Sequence, residues 1–178
     1  MEGPTSAPRK LRLRDLPLRD RLSALLLTAG GLGMVAVAPG TFGTLGGVVP
    51  AIVLGAMFDP PTLTWLLAGL ALALFSIGTC QTRAIGRIFG VSDPGAVVLD
   101  EVVGYLVVVA IDSWLHGRPL PTTHAVAFLL FRIFDILKPP PIRRFEEMPG
   151  ALGVMADDVM AGVYAALVLL GVHALGLP

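Results

Sequence analysis

Two long stretches of this chain carry no charge: nothing ionised lies between Arg21 and Asp59, and a further 23 uncharged residues separate Asp59 from Arg83. A helix needs about 20 predominantly apolar residues to cross a hydrocarbon core. The pattern therefore predicts membrane-spanning helices. Composition agrees, since 54% of the 178 residues are hydrophobic and only 15% are charged, well below the roughly 25% usual in soluble domains. The mean hydropathy is +0.79. The length suits one compact domain, read here as a basic N-terminal lead over residues 1–21 followed by a single helical membrane domain over 22–178.

The charges balance at 13 basic and 13 acidic residues but are poorly mixed. Arg9, Lys10, Arg12, Arg14, Arg19 and Arg21 all precede the first apolar run, with Asp15 and Asp20 as the only acids among them. That bias predicts a cytoplasmic N-terminus beside anionic lipid. A nucleic-acid partner is not expected, because no aromatics interleave with these cations. Leu22 to Ala38 resembles the apolar core of a signal peptide, but the rest of the chain is as apolar, so the stretch is expected to stay attached. Cys80 is the sole cysteine, which excludes an intramolecular disulfide and a cysteine-based metal cluster.

The spans can be placed by their breakers. Pro39-Gly-Thr-Phe-Gly-Thr-Leu-Gly-Gly47 opposes helix continuation, predicting helices over 22–38 and 47–58 joined by a short Gly/Thr loop. Asp59-Pro60-Pro61 makes a turn. The clearest span is 62–79, closed by Arg83 and Arg87 on the cytoplasmic side. Further helices are expected over 97–114, over 123–137 before Pro139-Pro140-Pro141, and over 159–175. The fold class is therefore all-α, a small multi-pass bundle. Consistent sidedness requires the 22–38 segment to be re-entrant or interfacial, leaving about five crossings.

The acids are concentrated. Asp100-Glu101 begins one expected helix, Asp135 falls in the last turn of another, and Asp157-Asp158 precedes the last. Bundling would bring all five carboxylates to one end, where they repel one another unless a cation intervenes. Mg2+ is hard and oxygen-seeking and commonly bridges carboxylates to phosphates. Structural zinc is disfavoured there, because no neighbouring histidines are present. Local roles compete with a shared centre: Asp158 as a helix cap, Asp100 and Glu101 paired with Arg83 or Arg87, and Asp135 paired with Arg132 or Lys138.

Arg132, Asp135 and Lys138 recur every three residues along one helical stripe. Arg132 offers a fork for two phosphate oxygens and Lys138 a flexible point charge. The glycine-rich run lacks a Gly-Lys-Ser or Gly-Lys-Thr ending, so it is no nucleotide loop, although Thr41 and Thr44 could offer hydroxyls to a phosphate. Arg143 and Arg144 suit headgroup anchoring. Asp93-Pro94-Gly95 reads as a turn near the acids. His116, His124 and His173 show no metal spacing, and the first two are expected at the far side.

Four ordered blocks, Pro39-Gly-Thr-Phe-Gly-Thr-Leu, Asp100-Glu-Val-Val-Gly104, Phe131-Arg-Ile-Phe-Asp-Ile-Leu-Lys-Pro-Pro-Pro-Ile-Arg143 and Gly153-Val-Met-Ala-Asp-Asp-Val-Met-Ala-Gly162, resemble the bacterial phosphatidylglycerophosphatase A family over roughly residues 39–165. The resemblance implies an essentially all-helical, Mg2+-dependent enzyme of the bacterial cytoplasmic membrane, converting phosphatidylglycerophosphate to phosphatidylglycerol and phosphate in phospholipid biosynthesis. Its partners would be that lipid and the anionic bilayer. It also implies Asp100, Glu101, Asp135, Asp157 and Asp158 as the metal and catalytic carboxylates, with Arg132 and Lys138 on the phosphate at a cytoplasm-facing site. Another lipid phosphotransferase needs the same acids, and a divalent-cation transporter would need polar groups at the membrane centre. Oligomeric state is not readable from the sequence.

Overall fold

The computed structural model describes residues 13–91 and 94–176; Arg9, Lys10 and Arg12 of the basic lead, and Asp93, lie outside the described residues. Within them the fold is all-α: α1 (Leu18–Leu27), α2 (Pro39–Met57), α3 (Pro60–Thr79), α4 (Thr82–Phe89), α5 (Leu99–His116), α6 (Pro121–Leu137), α7 (Ile142–Glu146) and α8 (Ala151–Ala174). α2, α3 and α8 are long and apolar enough to cross a membrane, running about 28, 30 and 36 Å at 1.5 Å per residue. The chain is thus a multi-pass membrane protein.

α5 is the central helix, flanked by α8, α3 and α2, while α6 and α7 pack on α8. Val102, Val103, Tyr105, Leu106, Val108 and Val109 are buried along α5, whereas Ile52, Val53, Leu72, Leu129 and Leu167 on its neighbours are exposed. A helix enclosed by protein can carry acids that would be expensive against lipid. This explains how α5 holds both Asp100 and Asp112 within an apolar bundle.

Local chemistry sets the helix ends. Asp59 accepts a hydrogen bond from the Thr62 backbone N–H at 3.5 Å, and Pro60 and Pro61 open α3, where missing N–H groups do no harm. Lys138 closes α6 in the left-handed region, at φ 44°, and the prolines after it cannot continue the helix. On α1, Arg21 donates to the carbonyls of Leu13, Arg14 and Leu16. Asp20 pairs with Arg87 of α4, whose hydrogen bond holds the Asp20 carboxyl below the usual range.

Three expectations need correction. The Gly/Thr loop does not exist: Pro39 to Gly47 is the first half of α2, with Pro39 at its start. Its glycines serve a close helix crossing, and tertiary packing overrides their weak propensity. The expected 22–38 helix is instead α1 followed by a 3-10 segment, Ala29–Met34, kinked at Gly30 and Gly31 with φ of 73° and 102°. At ten residues, α1 is about 15 Å long and too short to cross. Finally, α8 begins at Ala151 rather than 159, so Asp157 and Asp158 lie inside the helix and do not cap it.

Candidate active site

The crossing of α5 and α8 decides which acids meet. A Cβ on Gly162 would collide with the carbonyl oxygen of Gly104, and one on Gly104 would come 2.6 Å from the carbonyl oxygen of Asp158 and strike the Phe131 ring. Asp100 stands one turn before Gly104, and Asp158 one turn before Gly162. Residues four apart share a helix face, so the contact that lets the backbones touch also delivers both carboxylates. α2 closes in from another side: a Cβ on Gly40 would meet Glu101 and Arg132, and one on Gly47 would meet the Val102 carbonyl oxygen at 3.0 Å.

These approaches enclose a cavity of about 540 Å³ whose lining includes Asp100, Glu101, Asp135, Asp157 and Asp158 together with Arg132, Lys138, Glu146 and Gly40. Six carboxylates therefore face two cations. Oxygens of Asp100, Glu101 and Asp158 lie within 4.8 Å of one another, and Asp100 and Asp158 are buried. The other two predicted acids are held by bases. Arg132 Nη1 donates to Asp135 Oδ2 at 2.5 Å and lies 3.8 Å from Glu101 Oε1. Lys138 Nζ donates to Asp157 Oδ2 at 2.6 Å and to Glu146 Oε1 at 2.8 Å. Burial works against the Lys138 charge, but these hydrogen bonds outweigh it and raise its pKa above the ordinary lysine value.

Among the described residues, one buried side-chain polar atom has no hydrogen-bond partner: Glu101 Oε2. A buried carboxylate oxygen left alone is costly. Beside two further carboxylates it is suited to a hard divalent cation with oxygen ligands. The residues present thus fit Mg2+.

Thr41 and Thr44 do not line this cavity. Thr44 is fully buried and its hydroxyl donates to the Gly40 carbonyl at 2.8 Å within α2, because the run is a helix and not a loop of exposed amides. The alternative pairing of Asp100 and Glu101 with Arg83 or Arg87 is also absent, since Arg87 is taken by Asp20. Arg143 and Arg144 are exposed on α7. Sequence reasoning misses Glu146, which reaches Lys138 across the three prolines without any periodic spacing. It also misses the meeting of Asp112, His116 and His173 at the far end of the bundle. Of that trio only Asp112 and His116 carry a sequence signal, being four residues apart on one helix.

The phosphatidylglycerophosphatase A family model matches residues 25–173. A phosphatidylglycerophosphatase A of Haemophilus influenzae is 36% identical over 150 residues, covering 84% of this chain and 87% of the relative. One of Escherichia coli is 34% identical over 151 residues, 82% and 80% of the two chains. A Bacteroides thetaiotaomicron protein, named as a candidate phosphatidylinositol-3-phosphatase, is 36% identical over 154 residues, covering 83% and 91%. No solved structure gives a match. With the family model spanning most of its length, the chain belongs to the phosphatidylglycerophosphatase A family.

Proposed function

We propose that this protein is a Mg2+-dependent phosphomonoesterase that converts phosphatidylglycerophosphate to phosphatidylglycerol and phosphate at the cytoplasmic face of a bacterial inner membrane. The working unit is the helical domain of residues 22–178, with five crossing helices, behind the basic lead of residues 1–21. The observation that carries the reading is the single cavity in which the Asp100, Glu101 and Asp158 oxygens converge beside Arg132 and Lys138.

Asp100, Glu101 and Asp158 would hold the cation. Bound there, Mg2+ would polarise the phosphoryl group and lower the pKa of a water. Arg132 and Lys138 would face the phosphate oxygens and offset the charge that develops on them. Asp135 and Asp157 would orient those two cations, as their ion pairs indicate. Hydrolysis breaks the phosphorus–oxygen bond to the glycerol. A cavity carboxylate takes the proton from the attacking water, and a proton returns to the departing alkoxide. The acyl chains stay among the exposed apolar side chains while only the headgroup enters.

The cavity lies at a helix end, which disfavours a cation transporter. A different headgroup has one specific observation behind it, the Bacteroides relative and its name. The deciding experiment measures phosphate release by detergent-purified protein from phosphatidylglycerophosphate and, separately, from phosphatidylinositol 3-phosphate, with and without Mg2+. Release from the glycerol lipid that disappears on chelation is expected. Turnover of only the inositol lipid, or turnover that survives removal of divalent cations, would overturn the proposal.

A further inference from the structure

We propose that Asp112, His116 and His173 form a second metal site, for a borderline divalent ion of the zinc type, at the end of the bundle opposite the carboxylate cavity. Asp112 lies about 18 Å along α5 from Asp100, and His173 about 22 Å along α8 from Asp158, at 1.5 Å per residue. The two clusters are thus separate. Their chemistry also differs, since two imidazoles and one carboxylate favour zinc over Mg2+.

Three observations converge on this site. His116 Nδ1 and His173 Nε2 approach the same oxygen, Asp112 Oδ1, at 3.2 and 2.9 Å, although His173 comes from a residue 61 positions away on another helix. Donor atoms sharing a tetrahedral zinc at about 2.0–2.1 Å lie roughly 3.3 Å apart, so little movement separates this arrangement from ligation. Asp112 is 2% exposed on the enclosed helix, where its charge needs compensation. The two imidazole rings stand 4.3 Å apart, and one ligand nitrogen from each lies within 4.8 Å of the other and of an Asp112 oxygen, so one divalent ion would meet all three and compensate the buried charge. His116 is exposed, which leaves an outward position for a water or a fourth ligand. His124 takes no part, being paired with Tyr105 Oη at 2.8 Å.

The test uses the whole chain in detergent, stripped with a chelator and titrated with zinc, and in parallel with cobalt(II), in excess Mg2+ to occupy the oxygen-only site. Expected are one zinc per chain, an intense four-coordinate cobalt absorption and a raised thermal midpoint. His116→Ala, His173→Ala and Asp112→Asn should each weaken zinc by more than the roughly 10–100-fold that loss of an outer-shell partner causes. Mg2+-dependent phosphate release by the histidine variants should stay at the unsubstituted level. Zinc binding unchanged in both histidine variants would overturn the proposal. So would a cobalt spectrum of six oxygen ligands that vanishes instead in Asp100→Asn. Because His116 is exposed, its alanine variant keeps the test decisive if Asp112→Asn fails to fold. Failure here leaves the phosphate-release assay, and the lipid phosphatase reading, untouched.

Discussion

Asp157 and Asp158 are adjacent in sequence yet sit in different electrostatic company. Asp157 has Lys138 at 2.6 Å, whereas Asp158 turns to Asp100 and Glu101 and has no basic partner among the described residues. Substituting Asp158→Asn should therefore cut turnover by more than about 100-fold, beyond the range for loss of an outer-shell partner, and raise the Mg2+ concentration that half-saturates the residual activity. Asp157→Asn should act through Lys138, lowering turnover by roughly 10–100-fold, the range found when an orienting partner of a metal site is removed, with little change in the Mg2+ requirement. Equal shifts in that requirement would show that the two acids share one role. Lys138 adds a pH prediction. Its pKa is raised from 10.5 in the folded state, so its contribution to stability is fully present below that value and is lost only as pH climbs through the folded pKa. The melting-temperature difference between the protein and Lys138→Met should hold steady from about pH 7 to 9; a difference that fades across that interval would contradict the assignment.

Helix α8 carries two glycines that test what brings the acids together. Gly162 abuts the Gly104 backbone, while Gly171 has nothing within 4 Å of where its Cβ would be. Gly162→Ala should destabilise by about 1–3 kcal/mol through overpacking and lose activity, because the crossing that unites Asp100 with Asp158 must open. Gly171→Ala should be neutral or mildly stabilising, by up to about 1 kcal/mol from helix propensity. Thermal unfolding and phosphate release on the pair check this, and matching effects at both positions would remove the crossing from the account. The same physics explains what can be read from the chain before folding. Uncharged length marks α3 and the part of α8 beyond Asp158, since a bilayer tests each span singly. The glycines of α2 mislead, because their weak propensity is a local property, whereas the α5 backbone they admit belongs to another part of the chain. Blocks around Asp100, Asp135 and Asp157 are visible as family motifs, but the convergence of Asp100, Glu101 and Asp158, and the Lys138 contact that sets Asp157 apart from Asp158, depend on parts of the chain distant in sequence.

At the scale of the whole molecule, charge sorts by end. Among the described residues, Arg14, Arg19, Arg21, Arg83, Arg87, Arg132, Lys138, Arg143 and Arg144 belong to the cavity end, and Arg118 alone of the lysines and arginines lies in the turn between α5 and α6 at the other. There it donates to the Phe58 carbonyl at 3.0 Å, near the Trp65–Trp114 pair, whose rings meet edge to face at 5.8 Å. Tryptophans of this kind mark a membrane–water boundary, and basic residues favour the cytoplasmic side. The one cysteine makes the orientation measurable, because Cys80 is exposed at the end of α3 nearest the cavity. A membrane-impermeant maleimide should label Cys80 in inside-out vesicles and leave it untouched in intact spheroplasts. Arg118→Cys on a Cys80→Ser background should give the opposite pattern, as the proposed orientation turns the far end outward. Labelling of Cys80 from outside would place the carboxylate cavity on the external face, away from the cytoplasmic pool of Mg2+ and newly made lipid phosphate, and would reverse the orientation argued from the charges.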